Sequence, residues 1–64
     1  MLPTLTDRES EVAQLLVQGR SYKEIADNLS ITLETVRWHI KNIYPKVGVH
    51  SRSELAWKTL RHPR

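Results

Sequence analysis

The chain has 64 residues, with ten basic and seven acidic side chains and no cysteine, so it is one small domain without a disulfide framework or a thiolate metal site. It is too short for an enclosed substrate cavity of several hundred cubic ångströms, and it contains neither an apolar run near the ~20 residues of a membrane span nor a secretory signal. We therefore expect a cytoplasmic protein that is not an enzyme, has no membrane partner and needs no cofactor.

The charge is unevenly distributed along the chain. Residues 1–36 carry three basic and six acidic side chains, whereas residues 37–64 carry seven basic side chains and one acidic side chain. A basic half of this kind suggests a polyanionic partner on one side of the domain. Ordinary solubilising charge is the alternative.

Helix starts are indicated by three capping boxes, in which Ser or Thr is followed three residues later by Glu. They occur in "TDRE", "SYKE" and "SRSE". The hydroxyl accepts from the amide three residues on, and the Glu carboxylate reaches back to the cap amide. Helices are therefore predicted to begin after Thr6, Ser21 and Ser51. Thr32 is a fourth predicted cap, with Glu34 favoured by the dipole in the first turn.

Apolar residues recur at helical spacing after each predicted start, and no segment alternates with period two like a strand. The first helix is expected to stop at Gly19, and residues 28–32 to connect the short second helix tightly to the third. The apolar positions are Val12, Leu15 and Leu16, then Ile25, Ala26 and Leu29, then Val36, Ile40, Ile43 and Val47, and last Leu55, Ala56 and Thr59. This pattern predicts a compact all-α domain of four helices over residues 1–64, with residues 1–5 as a linker remnant and 62–64 as a tail. We expect it to be an output domain of a larger protein.

The third helix has a second face, opposite its apolar stripe, that carries Arg37, Trp38 and Lys41. If the stripe is core, Trp38 must face solvent or a partner. The short second helix, the tight turn and the basic third helix form a helix-turn-helix, whose second helix lies in the major groove of DNA. We therefore predict that residues 33–47 read DNA, with Arg37 and Lys41 donating to guanine and Trp38 packing on thymine methyls or sugar. A solvated basic face, with Trp38 covering a loop, is the alternative.

Pro45 interrupts the predicted third helix. It lacks the amide that would bond the Lys41 carbonyl, and its ring crowds that carbonyl. The helix is therefore expected either to kink at Pro45 and continue to Val47 or to stop near Tyr44. We favour the kink, because Gly48 follows Val47 and is a typical residue at a helix end.

The fourth predicted helix places Ser53, Trp57 and Leu60 opposite its core positions. An exposed tryptophan beside a leucine suggests a protein interface, and isologous packing of two such helices would give a homodimer. In the alternative, Trp57 folds back on the first helix and completes the core.

Metal binding and catalysis have little support. The three histidines, His39, His50 and His62, lie on different elements, whereas zinc needs about four converging ligands. His39 flanks the apolar stripe and is either a packed residue or a phosphate donor. No nucleophile–base pair is visible.

The segment "LTDRESEVAQLLVQGRSYKEIADNLSITLETVRWHIKNIYPKVGVHSRSELA" resembles the LuxR/FixJ-type (GerE-like) DNA-binding domain of bacterial transcription regulators. The family pattern, LTxRExEVxxLLxxGxSxKEIAxxLxISxxTVxxHxxxIxxKLGVxxRxxA, agrees at many separated positions from Leu5 to Ala56. The resemblance implies a helix-turn-helix domain that binds double-stranded DNA, often as a dimer through the fourth helix. It also implies that the full-length protein acts in transcription with RNA polymerase and that this domain takes no small-molecule ligand. Output domain of a two-component response regulator is one role that many family members have.

The resemblance also implies roles for individual residues. Base contacts are implied for Arg37, Trp38 and Lys41, and phosphate contacts for Lys23, Thr35, Lys46, His50 and Arg52. Tyr22, Thr32 and Pro45 depart from the family pattern, where Asn, Ser and a polar or basic residue are usual. Two functions are alternatives to sequence-specific DNA binding by a LuxR-type domain. One is a sigma region 4-like domain, which shares "SYKEIA" but normally ends near the third helix. The other is a protein-interaction module anchored by Trp38 and Trp57.

Overall fold

The computed structural model describes residues 5–60, the side chain of Leu60 excepted. Within this range the chain forms four helices and no strand: α1 is Asp7–Val17, α2 is Tyr22–Leu29, α3 is Leu33–Val47 and α4 is Arg52–Leu60. This confirms the predicted all-α fold. The predicted tail and His62 lie outside the described residues, as does most of the predicted linker remnant. Leu5, which we assigned to that linker, instead packs against the core.

Reciprocal capping boxes start α1 and α2, as predicted. The Thr6 hydroxyl accepts from the Glu9 amide at 3.1 Å, and the Glu9 carboxylate accepts from the Thr6 amide at 3.0 Å. Ser21 and Glu24 form the same pair of bonds in α2. Because each box satisfies two otherwise unpaired amides, these sequences fix where the helices begin.

The start of α4 differs from its predicted capping box in one bond. The Ser51 hydroxyl accepts from the Glu54 amide at 3.1 Å, as expected. The Glu54 carboxylate, however, accepts from the amide of His50 at 2.6 Å and not from that of Ser51. The box is therefore extended one residue toward the α3–α4 connection.

The core lies where α1 packs against the other three helices, and α2 packs against α3. Its buried apolar residues are Val12, Ala13, Leu16, Ile25, Ala26, Val36, Ile40, Ile43, Val49 and Leu55. Most predicted core positions are therefore confirmed, with Leu15, Leu29 and Val47 partly buried. Thr59 is exposed and Ala56 only half-buried, so the core prediction is wrong for Thr59, because α4 buries little more than Leu55.

The third helix continues through Pro45 to Val47, so the alternative in which it stops near Tyr44 is wrong. It ends at Gly48, whose φ of 84° is left-handed. The Gly48 and Val49 amides both donate to the Tyr44 carbonyl, and Lys58 of α4 donates to the Val47 carbonyl at 3.1 Å. Bonds of this kind satisfy the carbonyls at a helix end, which explains how a helix with an internal proline keeps its last turn.

Candidate nucleic-acid interface

A three-residue connection joins α2 to α3 and sets their relative direction. Ser30 has a left-handed backbone with φ 56°, and the Ile31 amide donates to the Ala26 carbonyl at 3.0 Å. The Thr32 hydroxyl then accepts from the Thr35 amide at 3.1 Å and begins α3. The structure thus contains the predicted helix-turn-helix, with a non-glycine residue in the position that glycine usually fills.

The outward face of α3 brings together the three predicted base-contacting side chains. Arg37, Trp38 and Lys41 are all exposed, with Trp38 60% exposed. No salt bridge within residues 5–60 involves Arg37 or Lys41. Because Val36, Ile40 and Ile43 bury the opposite face, the helix is held to the domain while two cations and an aromatic ring remain available to a partner.

Trp38 is in contact with its own helix as well as with solvent. Its ring meets that of His39 edge to face, with the ring centroids 5.1 Å apart and the planes at 63°. The Asn42 side-chain amide donates to the Trp38 carbonyl at 3.1 Å. His39 is half-buried, which favours the packed residue over the phosphate donor among its two sequence interpretations.

Three of the predicted phosphate-contacting residues differ in exposure: Lys23 and His50 are exposed, and Thr35 is half-buried. Lys23 is exposed in the first turn of α2. The Thr35 hydroxyl lies 2.8 Å from that of Thr32. The His50 side chain is 95% exposed, with its Nδ1 3.7 Å from the Glu54 carboxylate.

The other two predicted phosphate contacts, Lys46 and Arg52, already have partners within the domain. Lys46 Nζ donates to both carboxylate oxygens of Glu9, at 2.8 and 3.0 Å. The Arg52 guanidinium donates to the Arg20 carbonyl and lies 5.6 Å from the Tyr22 ring centroid. A phosphate contact from either residue would therefore have to use the N–H groups that these bonds leave over.

Tyr22, Tyr44 and Arg52 connect α2, α3 and α4. Burial raises the pKa of the Tyr44 phenol, neighbouring Tyr22 raises it further, and Arg52 opposes the rise. The phenol is consequently a neutral, packed group. Tyr22 departs from the family pattern, and its cation–π contact with Arg52 gives it a structural role that no sequence signal indicates.

An open groove at the end of α3 was not anticipated from the sequence. Its volume is about 480 Å³, and it begins at Lys41, so it adjoins the predicted reading face. The lining residues are Lys41, Tyr44, Pro45, Gly48, Val49 and His50. They lie on a helix end and a loop without common periodicity, so no sequence pattern marks them as one surface.

On α4, Leu55 is buried while Ser53 is exposed and Trp57 is 64% exposed. The alternative in which Trp57 folds back to complete the core is therefore wrong. The third predicted interface residue, Leu60, has its side chain outside the described part of the chain.

Residues 5–60 contain neither a cluster of metal-ligating side chains nor a membrane-spanning helix. No group of three or more His, Asp or Glu side chains is placed to hold a metal ion. None of the helices described here has the length and apolar character needed to cross a bilayer.

Comparison with known proteins identifies the family. Residues 3–59 match the family described as bacterial regulatory proteins, luxR family. The spore germination protein GerE of Bacillus subtilis is 51% identical over 59 residues, which cover 92% of this chain and 80% of that protein. The uncharacterized response regulatory protein YgeK of Escherichia coli K12 is 47% identical, over 89% of this chain and 39% of its own length. The transcriptional regulatory protein LiaR of B. subtilis is 43% identical, over 83% and 25%.

The chain thus spans most of the first of these relatives and less than half of the other two. The match covers the helix-turn-helix and the helices on both sides of it. This family consists of DNA-binding transcription regulators and is not an enzyme family. The chain belongs to the luxR family of bacterial regulatory proteins and acts in transcription regulation by binding DNA.

Proposed function

We propose that α3 enters the major groove of double-stranded DNA and reads its sequence. Arg37 donates to guanine O6 and N7, Lys41 donates to a neighbouring base, and Trp38 packs against a thymine methyl or a sugar. The observation that carries this proposal is the exposure of all three side chains on one face of α3, whose other face is buried. A helix fits the groove, which is about 12 Å wide.

Phosphate contacts would fix the register of this reading helix. We assign them to Lys23 and His50, which are exposed, and to Thr35, which is half-buried in the first turn of α3. Lys46 and Arg52 stay candidates for phosphate contact, although each would have to share its cation with a partner inside the domain. These contacts supply affinity without sequence preference.

A homodimer through α4 would place two such domains on two half-sites. The support is an exposed Trp57 on the same side of α4 as Ser53, away from buried Leu55, with Leu60 as the further predicted member. Half-sites read by a twofold dimer lie about 34 Å, or one helical turn, apart or at multiples of that distance. Sedimentation of the DNA complex tests this. Trp57→Ala should reduce two-domain occupancy while Thr59→Ala, an exposed change on the same helix, should not. A strict monomer on every duplex would rule the dimer out.

Two relatives of this chain suggest that it is part of a larger regulator. One of them is named a response regulatory protein and another a transcriptional regulatory protein, and this chain corresponds to only part of each. We propose that the chain serves as the output domain of such a regulator, with RNA polymerase as a partner of the full-length protein.

The experiment that tests the reading function is selection of bound sequences from a random duplex pool, followed by a salt titration of the winner. We expect an enriched half-site and an affinity that falls with salt, with a slope of about −0.9 per neutralised phosphate. A pool without enrichment, combined with weak salt dependence, would contradict DNA reading. That result would favour a protein-interaction module anchored by the exposed Trp38 and Trp57.

A further inference from the structure

The contact between Trp38 and His39 is unusual for neighbours in a helix. Consecutive residues of an α-helix point about 100° apart, and their side chains do not ordinarily face each other. The two ring centroids are nevertheless 5.1 Å apart, with the planes at 63°. The indole and the imidazole are therefore turned toward each other on the helix surface.

The imidazole is the fixed partner of this pair. His39 is half-buried, and its Nδ1 is buried without a hydrogen-bond partner among the described residues. The contact that the imidazole does make is the edge-to-face one with Trp38, an arrangement that aromatic pairs prefer.

We propose that His39 is a positioning residue for DNA reading. Its ring holds the Trp38 indole in one orientation on the exposed face of α3 before DNA arrives. The inference rests on the proposed base contact of Trp38. A contacting side chain that is already ordered loses less conformational freedom on binding, so the ring contact increases discrimination at the base pair that Trp38 meets, by about two- to tenfold for an edge-to-face pair.

The first test concerns the free domain and does not depend on DNA. In a Trp57→Phe background, Trp38 is the only tryptophan, and time-resolved fluorescence anisotropy reports its local motion. His39→Ala and His39→Leu should both increase the amplitude of fast indole motion, whereas His39→Phe, which keeps an edge-to-face ring, should restore it. The His39→Leu variant keeps most of the side-chain volume, so it can be measured even if His39→Ala unfolds the domain. Unchanged motion in a folded His39→Leu variant would overturn the proposal.

The second test uses duplexes in which each base pair of the selected half-site is varied in turn. Trp38→Ala first identifies the base pair whose discrimination depends on Trp38. At that pair His39→Leu should reduce discrimination by about two- to tenfold, and His39→Phe should not. In the Trp38→Ala background His39→Leu should have no further effect.

The outcomes separate the two claims. Equal losses at every base pair, or an undiminished effect of His39→Leu in the Trp38→Ala background, would assign His39 a general structural role and overturn the proposal. If Trp38→Ala changes discrimination nowhere, the base contact of Trp38 fails, and the anisotropy of the free domain still decides whether His39 orders the indole.

Discussion

Lys46 near the end of α3 donates hydrogen bonds to both carboxylate oxygens of Glu9 at the start of α1, at 2.8 and 3.0 Å. The same carboxylate accepts from the Thr6 amide as half of the α1 capping box. Glu9 is 5% exposed, so its charge depends on these partners for compensation. One side chain thus caps the first helix and ties it to the reading helix.

Replacement of Glu9 should lower stability in two steps. Glu9→Gln keeps an oxygen for the Thr6 amide but removes the charge opposite Lys46, and Glu9→Ala removes both interactions. We expect the melting temperature, measured by circular dichroism, to be highest for the wild type, lower for Glu9→Gln and lowest for Glu9→Ala. The matched control is Glu11→Gln on the same helix, because Glu11 is exposed and its ion pair within residues 5–60 is with Arg8 at the surface, where ion pairs contribute little. Equal effects of Glu9→Gln and Glu11→Gln would contradict the structural role of Lys46.

The Glu9 contact also predicts a pH dependence. The hydrogen bond from Lys46, followed by that from the Thr6 amide, holds the pKa of the Glu9 carboxyl below its ordinary value. A carboxyl with a lowered pKa in the folded state contributes stability at neutral pH that is lost as pH falls through that pKa. Melting temperatures between neutral and acidic pH should therefore fall less steeply in Glu9→Gln than in the wild type. Parallel curves for the two proteins would show that Glu9 has the same pKa folded and unfolded.

Ser30 predicts a stabilising substitution in the turn. Its φ of 56° is left-handed, a backbone conformation that costs an L-residue about 1–2 kcal/mol and costs glycine nothing. Glycine, however, loses more conformational entropy on folding. Ser30→Gly should therefore stabilise the domain by up to about 1 kcal/mol in chemical denaturation. Ser30→Ala is the control, since alanine meets the same backbone strain without the hydroxyl and should not stabilise. If Ser30→Gly proves destabilising, the hydroxyl or the serine conformation has a role that the structure does not suggest.

Pro45 predicts a second stabilising change. It leaves the Lys41 carbonyl without the amide donor of a regular helix, at a cost of up to about 3 kcal/mol in a helix interior. Pro45→Ala should raise the melting temperature, while Lys41→Ala, an exposed change on the same helix, should shift stability by less than about 0.5 kcal/mol. A lower melting temperature for Pro45→Ala would mean that proline stabilises the end of α3, through its rigidity in the unfolded chain or through packing.

The sequence predicts the helix boundaries well because capping is local. Thr6 with Glu9, and Ser21 with Glu24, interact across three residues, so the pattern is visible in four letters. The reading face is equally predictable, because the buried stripe of Val36, Ile40 and Ile43 assigns Arg37 and Lys41 to the other side by helical geometry alone.

Contacts between residues far apart in the sequence cannot be predicted from local patterns. Lys46 and Glu9 are 37 residues apart, and a basic residue near the end of α3 looks the same in sequence whether it meets a phosphate or a buried carboxylate. Arg52 likewise reaches the Arg20 carbonyl 32 residues away. Val49 is buried but follows Gly48 in a connection, where one apolar residue forms no periodic pattern.

In the proposed complex, α3 reads sequence and the start of α2 supplies affinity for the DNA backbone. Binding of Arg37→Ala, Lys41→Ala and Lys23→Ala to the selected duplex and to scrambled duplexes tests this division most directly. Arg37→Ala and Lys41→Ala should each reduce the preference for the selected sequence by about 1–3 kcal/mol, at the base pair that the lost side chain contacted. Lys23→Ala should weaken binding to all duplexes alike and reduce the salt slope by about one. An unchanged sequence preference in Arg37→Ala would contradict the placement of α3 in the major groove.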